Sequence, residues 1–217
     1  MTVFVRPDGR RFVRARELGA APAGELYCTV DEDDAETLAL CERLGFVVNR
    51  RESRYALPTD AVAPAPLPAG IRVVTADEAD EARLRLLDDA LRQDVPGTEG
   101  WRWDEAGFRE EFDDSSDPAT YLVAVAENGE YVGLVRVWHR PSGPRLGMIG
   151  VLPAYRRRGL ARVLLATVFA VLHDLGLGEV STDIDDENEA SKALLLPLGA
   201  RRVGGTVELV RRDHATR

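Results

Sequence analysis

The 217-residue sequence predicts a mixed α/β fold, in which helices pack against a central sheet. Apolar segments typical of strands alternate with segments that have the period of an amphipathic helix. The best-defined unit runs from Arg145 to Leu175: a buried strand at 146–151, a turn, and a long helix from near Gly159. The apolar positions of that helix follow the i, i+3, i+4 spacing of one packed face: Leu160, Val163, Leu164, Thr167, Val168, Val171 and Leu172.

The N-terminal segment predicts a small α/β unit. Its elements are strands at 2–5, 11–14 and 25–30, a helix at 35–44, and two short strands at 46–48 and 54–57. The turn Pro7-Asp8-Gly9 joins the first two strands, and a loop rich in Ala, Pro and Gly leads to Gly24. The acidic run 31–34 would suit a divalent metal, but N-capping of the helix that follows is the stronger interpretation.

The two ends of the chain resemble each other at an offset of 154 residues. The offset pairs Asp31 with Asp185, Ala39 with Ala193, Leu40 with Leu194, Leu44 with Leu198 and Gly45 with Gly199. Both stretches are expected to form a strand, an acidic turn, a helix ending in Leu-Gly, and two short strands. We interpret residues 1–57 as a domain containing a partial repeat, although a coincidence of common elements would also give this pattern.

A linker separates the two predicted domains. Residues 58–70 contain four prolines and no helical or strand period, and a second domain is expected over 71–217. Its predicted elements, besides the unit at 146–175, are strands at 71–74, 121–127, 131–138 and 179–184, helices at 77–93, 104–112 and 187–198, and a final pair of strands at 201–204 and 206–210. Gly150, inside a strand, suggests a bulge or a close approach to the backbone, or is merely tolerated there.

The loop before the long helix is a candidate anion site. It reads Arg156-Arg157-Arg158-Gly159-Leu160-Ala161-Arg162. Free N–H groups at a helix N-terminus bind anions, and the small residues Gly159 and Ala161 let a phosphate or pyrophosphate approach the backbone. Arg-Arg pairs recur throughout the chain, so a solvated basic helix start remains the alternative.

Composition excludes several other classes of protein. A net charge of −9 argues against nucleic-acid binding; it would attract cationic acceptors, although solubility explains it more simply. Cys28 and Cys41 match neither a disulfide framework nor a zinc spacing, and no metal is expected. With no apolar leader and no run long enough to span a membrane, the sequence predicts a soluble cytoplasmic protein without membrane contact.

Two motifs in the right order resemble those of the GNAT N-acetyltransferase superfamily. The pattern R-x-x-G-x-A (Arg156, Gly159, Ala161) follows a strand ending in V-x-P and resembles the family's motif A. Asn188 and then Leu198-Gly199-Ala200 resemble its second conserved segment. The resemblance covers about 71–212 and implies a mixed central sheet, flanked by helices and splayed between strands 146–151 and 179–184. Residues 25–57 then resemble a degenerate C-terminal half, as in a tandem GNAT protein.

The resemblance also implies an activity. Acetyl-CoA would be the co-substrate, with its pantetheine beside the backbone of Ile149, Gly150 and Val151 and its pyrophosphate on the 156–162 loop. A primary amine of a small molecule or peptide would attack the thioester directly in a ternary complex. Asn188 would order a water or the cofactor near the thiol, or act only as a helix N-cap.

The acceptor side is less defined. In the family the region between the first two helices shapes the acceptor pocket, so Trp101 and Trp103 would wall the substrate and Glu99, with Asp94 and Asp104, would hold its cation. An ordinary aromatic packing loop is the equal alternative.

The acid and base do not match the family pattern. The position where many members carry a tyrosine acid is Leu195, and residues 146–148 supply no carboxylate. Asp183, Asp185 and His139 are the candidate bases at strand ends. A catalytically silent acyl-CoA-binding module is therefore the alternative function. The acceptor's identity and the formation of a homodimer are left open by the sequence.

Overall fold

A computed structural model describes residues 3–20 and 24–212, except for the side chains of 19–20 and 112–116. The described strands are β1 (Val3–Val5), β2 (Arg11–Val13), β3 (Leu26–Asp31), β4 (Val47–Pro58), β5 (Ile71–Thr75), β6 (Ser116–Ala126), β7 (Tyr131–Arg140), β8 (Gly143–Val151), β9 (Glu179–Asp185) and β10 (Arg201–Arg211). The α-helices are α1 (Ala35–Arg43), α2 (Glu81–Arg92), α3 (Glu105–Ser115), α4 (Leu160–Asp174) and α5 (Glu189–Leu195).

All ten strands belong to one sheet, in the order β1-β2-β3-β10-β4-β9-β8-β7-β6-β5. Two neighbouring pairs, β2–β3 and β8–β9, are parallel, and the others are antiparallel. The predicted mixed α/β fold is confirmed. Helix α4 packs against β6, β7 and β8 on one face of the sheet. Helix α2 packs against β7 on the opposite face, where a second hydrophobic core lies.

The parallel strands β8 and β9 separate after a single aligned pair, Arg145 with Ser181. Thr182 Oγ1 still donates to the Leu146 carbonyl over 3.0 Å, and beyond it β8 and β9 have no aligned residues. The register of β8 against β7 slips between Leu146 and Met148, so the bulge lies at Gly147. Because a bulge bends its strand, it turns the end of β8 away from β9. The predicted splay is therefore present.

Gly150 has a different role from Gly147. A Cβ at Gly150 would lie 2.9 Å from the Leu91 side chain of α2, so the glycine allows this helix to approach the strand closely. Of the three expectations for Gly150, the structure supports the close approach, since the bulge lies at Gly147.

The two predicted pairs of short strands are each one long strand, which corrects the sequence interpretation. In β4 the polar run 49–53 stays extended because β10 pairs with it along most of its length and β9 joins on the other side from Glu52. In β10, Gly204 and Gly205 are not a turn. Gly205 lies opposite Ser53, where a Cβ would be 2.6 Å from the Glu52 carbonyl oxygen. Backbone pairing across the sheet overrides the local turn signal.

The 154-residue offset holds in the structure as well as in the sequence. Adding 154 to the residue numbers of β3, α1 and β4 gives the positions of β9, α5 and β10. The strand register agrees, because Glu52 lies opposite Asp185 and the corresponding Thr206 lies opposite Asp31. The last strands are exchanged, because β4 pairs with β9 and β10 pairs with β3. Strands from both predicted domains thus alternate in one sheet.

Other local features differ from the expectations. The loop before Gly24 contains a 3-10 helix, Ala15–Ala20, and the helix expected to reach Leu198 ends at Leu195 and continues as the 3-10 helix Leu196–Leu198. Cys28 and Cys41 are free and buried, with their Sγ atoms 3.8 Å apart between β3 and α1. None of the helices in the described ranges is long and apolar enough to cross a membrane.

Candidate active site

The loop before α4 presents unused backbone donors. Arg157 and Gly159 have left-handed φ values of 61° and 81°, which turn the chain sharply into the helix. The first helical bond runs from Val163 N–H to the Gly159 carbonyl, so the N–H groups of residues 160–162 have no partner in the helix. Gly159 provides no side-chain cap, and a Cβ there would meet no atom within 4 Å. The helix N-terminus is therefore open to an anion.

The four arginines of this loop are not equivalent. Arg156 is held by the protein, since its Nε donates to the Val151 carbonyl over 2.8 Å and its Nη2 pairs with Asp94. Arg158 lies 5.4 Å from the Tyr155 ring centroid. Arg157 and Arg162 are exposed, and no residue in the described ranges forms an ion pair with either. These two guanidinium groups are available to a phosphate.

A cleft of about 620 Å³ runs from this loop to the splay between β8 and β9. Every predicted cofactor-binding residue except Arg158 lines it: Ile149, Gly150, Val151, Arg156, Arg157, Gly159, Leu160, Ala161, Arg162 and Asn188. Leu91 of α2 and Asp94 and Val95, which follow this helix, also line the cleft. The sequence assigned Asp94 to the acceptor side and gave Leu91 and Val95 no role, and their only signal is their position at the start of the predicted acceptor loop.

A second, smaller cavity of about 140 Å³ lies on the inner side of the splay. It shares a wall with the cleft, formed by Val95, Met148, Ile149, Asn188 and Ser191. Leu195 is buried and lines this inner cavity, so the position of the usual tyrosine is apolar here. A group held in the cleft and a group held in the inner cavity would meet at the shared wall.

Asn188 lies between the two spaces and also caps α5. Its Oδ1 accepts a hydrogen bond from Ser191 N–H over 3.0 Å, so the N-cap role is present. Because that oxygen is used, the part of Asn188 that could contact a ligand is its Nδ2 amide.

Three carboxylates of the described residues line the inner cavity. Asp183 is bound by Arg54 Nε over 3.0 Å and by Arg145 Nη2 over 2.6 Å. Asp185 accepts from Glu187 N–H over 2.8 Å and from Arg50 over 3.1 Å.

The third carboxylate, Glu52, comes from β4 in the N-terminal segment, and sequence analysis did not consider it. Its Oε1 is 2.6 Å from Arg50 Nη1. Nothing in the sequence around Glu52 indicates a site, because its position follows from the exchange of strands.

The predicted acceptor residues lie elsewhere. Trp103 donates its Nε1–H to Asp88 over 2.9 Å and packs edge-on against Trp101, whose ring centroid is 5.3 Å away. Glu99 is exposed and accepts from Gly97 N–H over 2.9 Å. None of the three lines the inner cavity, where Trp138 supplies the aromatic surface instead. The packing alternative for the two tryptophans therefore describes them better.

His139 is also outside the cavity. It lies at the exposed end of β7, with its Nε2 3.0 Å from Thr120 Oγ1. The predicted loop itself does contribute, through Val95, Pro96 and Thr98. The loop therefore lines the inner cavity through residues other than those chosen from the sequence.

The N-terminal segment holds the loop after α2 in place. Arg10 Nη2 donates to the Gly97 carbonyl, and the Arg50 guanidinium lies so close that a Cβ on Gly97 would be 2.6 Å from it. Burial lowers the pKa of Arg50, but the carboxylates of Glu52 and Glu208 raise it by more, so Arg50 stays charged. Residues before 58 thus contribute Glu52 to the lining of the inner cavity and hold the loop that lines another part of it.

No group of three or more His, Cys, Asp or Glu side chains within the described ranges is arranged to hold a metal ion. The acidic run 31–34 serves as a cap, since Asp34 accepts from Thr37 N–H over 3.0 Å.

Comparisons with known proteins agree with this geometry. The model of the acetyltransferase (GNAT) family matches residues 85–200, more than half of the chain. A mycothiol acetyltransferase of Salinispora tropica is 31% identical over 87% of this chain and 64% of its own length. One from Frankia alni is 32% identical over 86% of this chain and 62% of its own length. The chain thus spans slightly less than two thirds of these relatives.

Solved structures show the same fold. A GCN5-related N-acetyltransferase from Sphaerobacter thermophilus has a TM-score of 0.73 at 22% identity, over 96% of this chain and 75% of its own. A tandem GNAT protein from the clavulanic acid biosynthesis pathway has a TM-score of 0.67 at 20% identity, over 90% of this chain and 67% of its own. The motif, the splayed sheet and the family match together show that the chain belongs to the acetyltransferase (GNAT) family.

Proposed function

We propose that the protein is an acetyl-CoA-dependent N-acetyltransferase that transfers the acetyl group to a primary amine by direct attack in a ternary complex. The observation that carries this proposal is the common wall between the cleft and the inner cavity. A protein that only binds acyl-CoA has no need of a second space beside the thioester, which disfavours the silent binding module.

The cleft suits the parts of acetyl-CoA. The N–H groups at the start of α4, together with Arg157 and Arg162, form a cationic end that fits a pyrophosphate. Past Leu146, β8 has no aligned partner on its β9 side, so the backbone of Ile149, Gly150 and Val151 can pair with the pantetheine amides. Apolar side chains of Leu91, Val95 and Leu194 cover the remaining length.

The residues at the shared wall would then act on the reacting groups. A backbone N–H near Ile149 would polarise the thioester carbonyl and stabilise the oxyanion formed on attack. Asn188 Nδ2 would orient a water or the cofactor near the sulfur. With Leu195 apolar, the departing thiolate takes its proton from the amine or from solvent, which a thiol of pKa about 8.5 permits.

Relatives named mycothiol acetyltransferases support a small-molecule amine as the acceptor. The inner cavity, of about 140 Å³, has room only for the reacting end of an acceptor. The acceptor is therefore to be identified with a panel of amines.

We also propose that residues 1–57 are a degenerate partial GNAT repeat, joined by 58–70 to the catalytic part at 71–217. The support is the common offset of 154 residues in sequence, element bounds and strand register. The repeat would contribute to the acceptor side and bind no cofactor itself.

Ala161→Asp tests the cofactor site without straining the backbone. An aspartate in the first turn favours the helix, but it would place a negative charge beside the pyrophosphate. At about 5 Å and an effective dielectric constant of about 20, this repulsion is about 3 kcal/mol, or roughly 100-fold in Kd. Ala161→Asn is the matched control, since it has the same shape without the charge.

The measurements are calorimetric binding of acetyl-CoA and release of free thiol over a panel of amines. We expect amine-dependent release by the wild type and by Ala161→Asn, and its loss in Ala161→Asp at low acetyl-CoA. If acetyl-CoA binds but no amine increases thiol release, the silent module is the correct function. If the wild type does not bind acetyl-CoA, the proposal is wrong.

A further inference from the structure

Among the carboxylates that line the inner cavity, one oxygen has no partner in the part of the chain that the structure describes. Both oxygens of Asp183 are engaged, Oδ1 by Arg54 and Oδ2 by Arg145. Both oxygens of Asp185 are engaged too, by Glu187 N–H and Arg50. Glu52 uses Oε1 for Arg50, and no donor within the described ranges reaches its Oε2.

Glu52 is also the most accessible of the three. Its side chain is 27% exposed, against 10% for Asp183 and 6% for Asp185. Residues 50, 52 and 54 alternate along β4, so Arg50 and Arg54 flank Glu52 on the same face of the strand. Each of these arginines holds one of the β9 aspartates, which leaves Glu52 between them as the free acceptor.

The charged groups around Glu52 come from every neighbouring element. On β4 they are Arg50 and Arg54, and on β9 they are Asp183 and Asp185. Arg92 of α2 and Arg145 of β8 line the same cavity, and Glu208 of β10 shares Arg50 with Glu52 at an Nε–Oε2 distance of 3.3 Å. Arg92 is itself paired with the buried Asp88, and Arg145 with Asp183.

We propose that Glu52, from the N-terminal segment, is the general base that accepts a proton from the acceptor's ammonium group. This inference rests on the proposed function. The N–H bond of the ammonium breaks and an O–H bond forms at Glu52 Oε2. The freed amine nitrogen bonds to the thioester carbon, the C–S bond breaks, and the sulfur takes the second proton of the amine. Glu52 then returns its proton to solvent through the cavity.

Glu52 lies outside both GNAT motifs, which are in the catalytic part of the chain. Its placement depends on β4 lying between β9 and β10, where Glu52 faces Asp185 on one side and Thr206 on the other. The partial repeat would therefore complete the active site, in addition to supporting it.

Glu52→Gln is the test, since the Gln carbonyl can still accept the Arg50 hydrogen bond while the base is lost. We expect kcat/KM for the best amine of the panel to fall about 100-fold or more at pH 7, with an unchanged Kd for acetyl-CoA. The deficit should shrink as the pH approaches the pKa of the amine, because the acceptor then arrives deprotonated. Glu52→Asp should recover part of the activity.

Glu32→Gln is the matched control, because Glu32, in the turn after β3, forms an ion pair with Arg202 of β10 and lines neither cavity. It should leave kcat/KM unchanged. A Glu52→Gln deficit that is the same at every pH would show a merely structural role and overturn the inference. So would a pH-dependent deficit in Asp183→Asn but not in Glu52→Gln, which would make Asp183 the base. If the wild type binds acetyl-CoA but transfers to no amine, the proposed function fails, and this inference with it.

Discussion

The two parallel crossovers of this sheet have the same topology and different contents. In the N-terminal one, β2 and β3 are joined by a segment that includes the 3-10 helix Ala15–Ala20, and the single aligned pair is Phe12 with Tyr27. In the C-terminal one, β8 and β9 are joined through the 15-residue α4, and the single aligned pair is Arg145 with Ser181.

What lies between and beside the strands decides whether a cleft forms. Phe12 and Tyr27 stack with ring centroids 5.3 Å apart, and the Arg6 guanidinium lies 3.7 Å from the Phe12 centroid. In the other crossover, the bulge at Gly147 opens the strands and Gly159 leaves the helix N-terminus open. Packed aromatic side chains therefore fill the first crossover, whereas small residues leave a cleft in the second.

Phe12→Ala should produce the largest change, because it removes a packed aromatic ring from the closed crossover, the one between β2 and β3. Phe12 is 2% exposed, and removing a buried phenylalanine costs about 3–5 kcal/mol in free energy of unfolding. Urea denaturation would measure the loss, and the Kd for acetyl-CoA should not change below the transition. Phe4→Ala is the control, since Phe4 is 46% exposed and should cost about 1 kcal/mol or less. Equal losses would show that the stack is not a core.

Substitutions at Asn188, in the open crossover between β8 and β9, should separate its role as a helix cap from its proposed role in the reaction. Asn188→Ala should lower the free energy of unfolding by about 1 kcal/mol and also lower kcat/KM. Asn188→Asp should keep the stability within about 0.5 kcal/mol, because aspartate caps helices as well, but should still lower kcat/KM since Nδ2 is gone. If Asn188→Asp retained full activity, Asn188 would be only a cap.

The smallest expected effect concerns the two cysteines behind the closed crossover. Burial raises the pKa of Cys28 and that of Cys41, so little thiolate forms in the native state between pH 7 and 9. Reaction with a disulfide reagent should be slow across this range and should release two thiols only in denaturant. Rapid native reaction that increases with pH would mean that the pair is accessible.

The sequence was most informative where the chemistry is local. Residues 146–175 form the expected strand, turn and helix because the apolar period and the glycine at the turn act within a few residues. The same holds for Asn188 as a cap and for Leu195 in place of an acid. The sequence was misleading at Asn49–Ser53 and at Gly204–Gly205, where polar and glycine residues divided each long strand into two short predicted ones.

The sequence by itself determined the fold class, the loop that opens the N-terminus of α4 and the positions along β8 that line the cleft. Only the tertiary structure decided which residues line the inner cavity. Trp101, Trp103, Glu99 and His139 lie outside the inner cavity, whereas Trp138 and Glu52 line it. The reason is physical: local propensity carries no information about which distant strand pairs with β9. The exchange of β4 and β10 brings Glu52 beside Asp185 across more than 130 residues of chain.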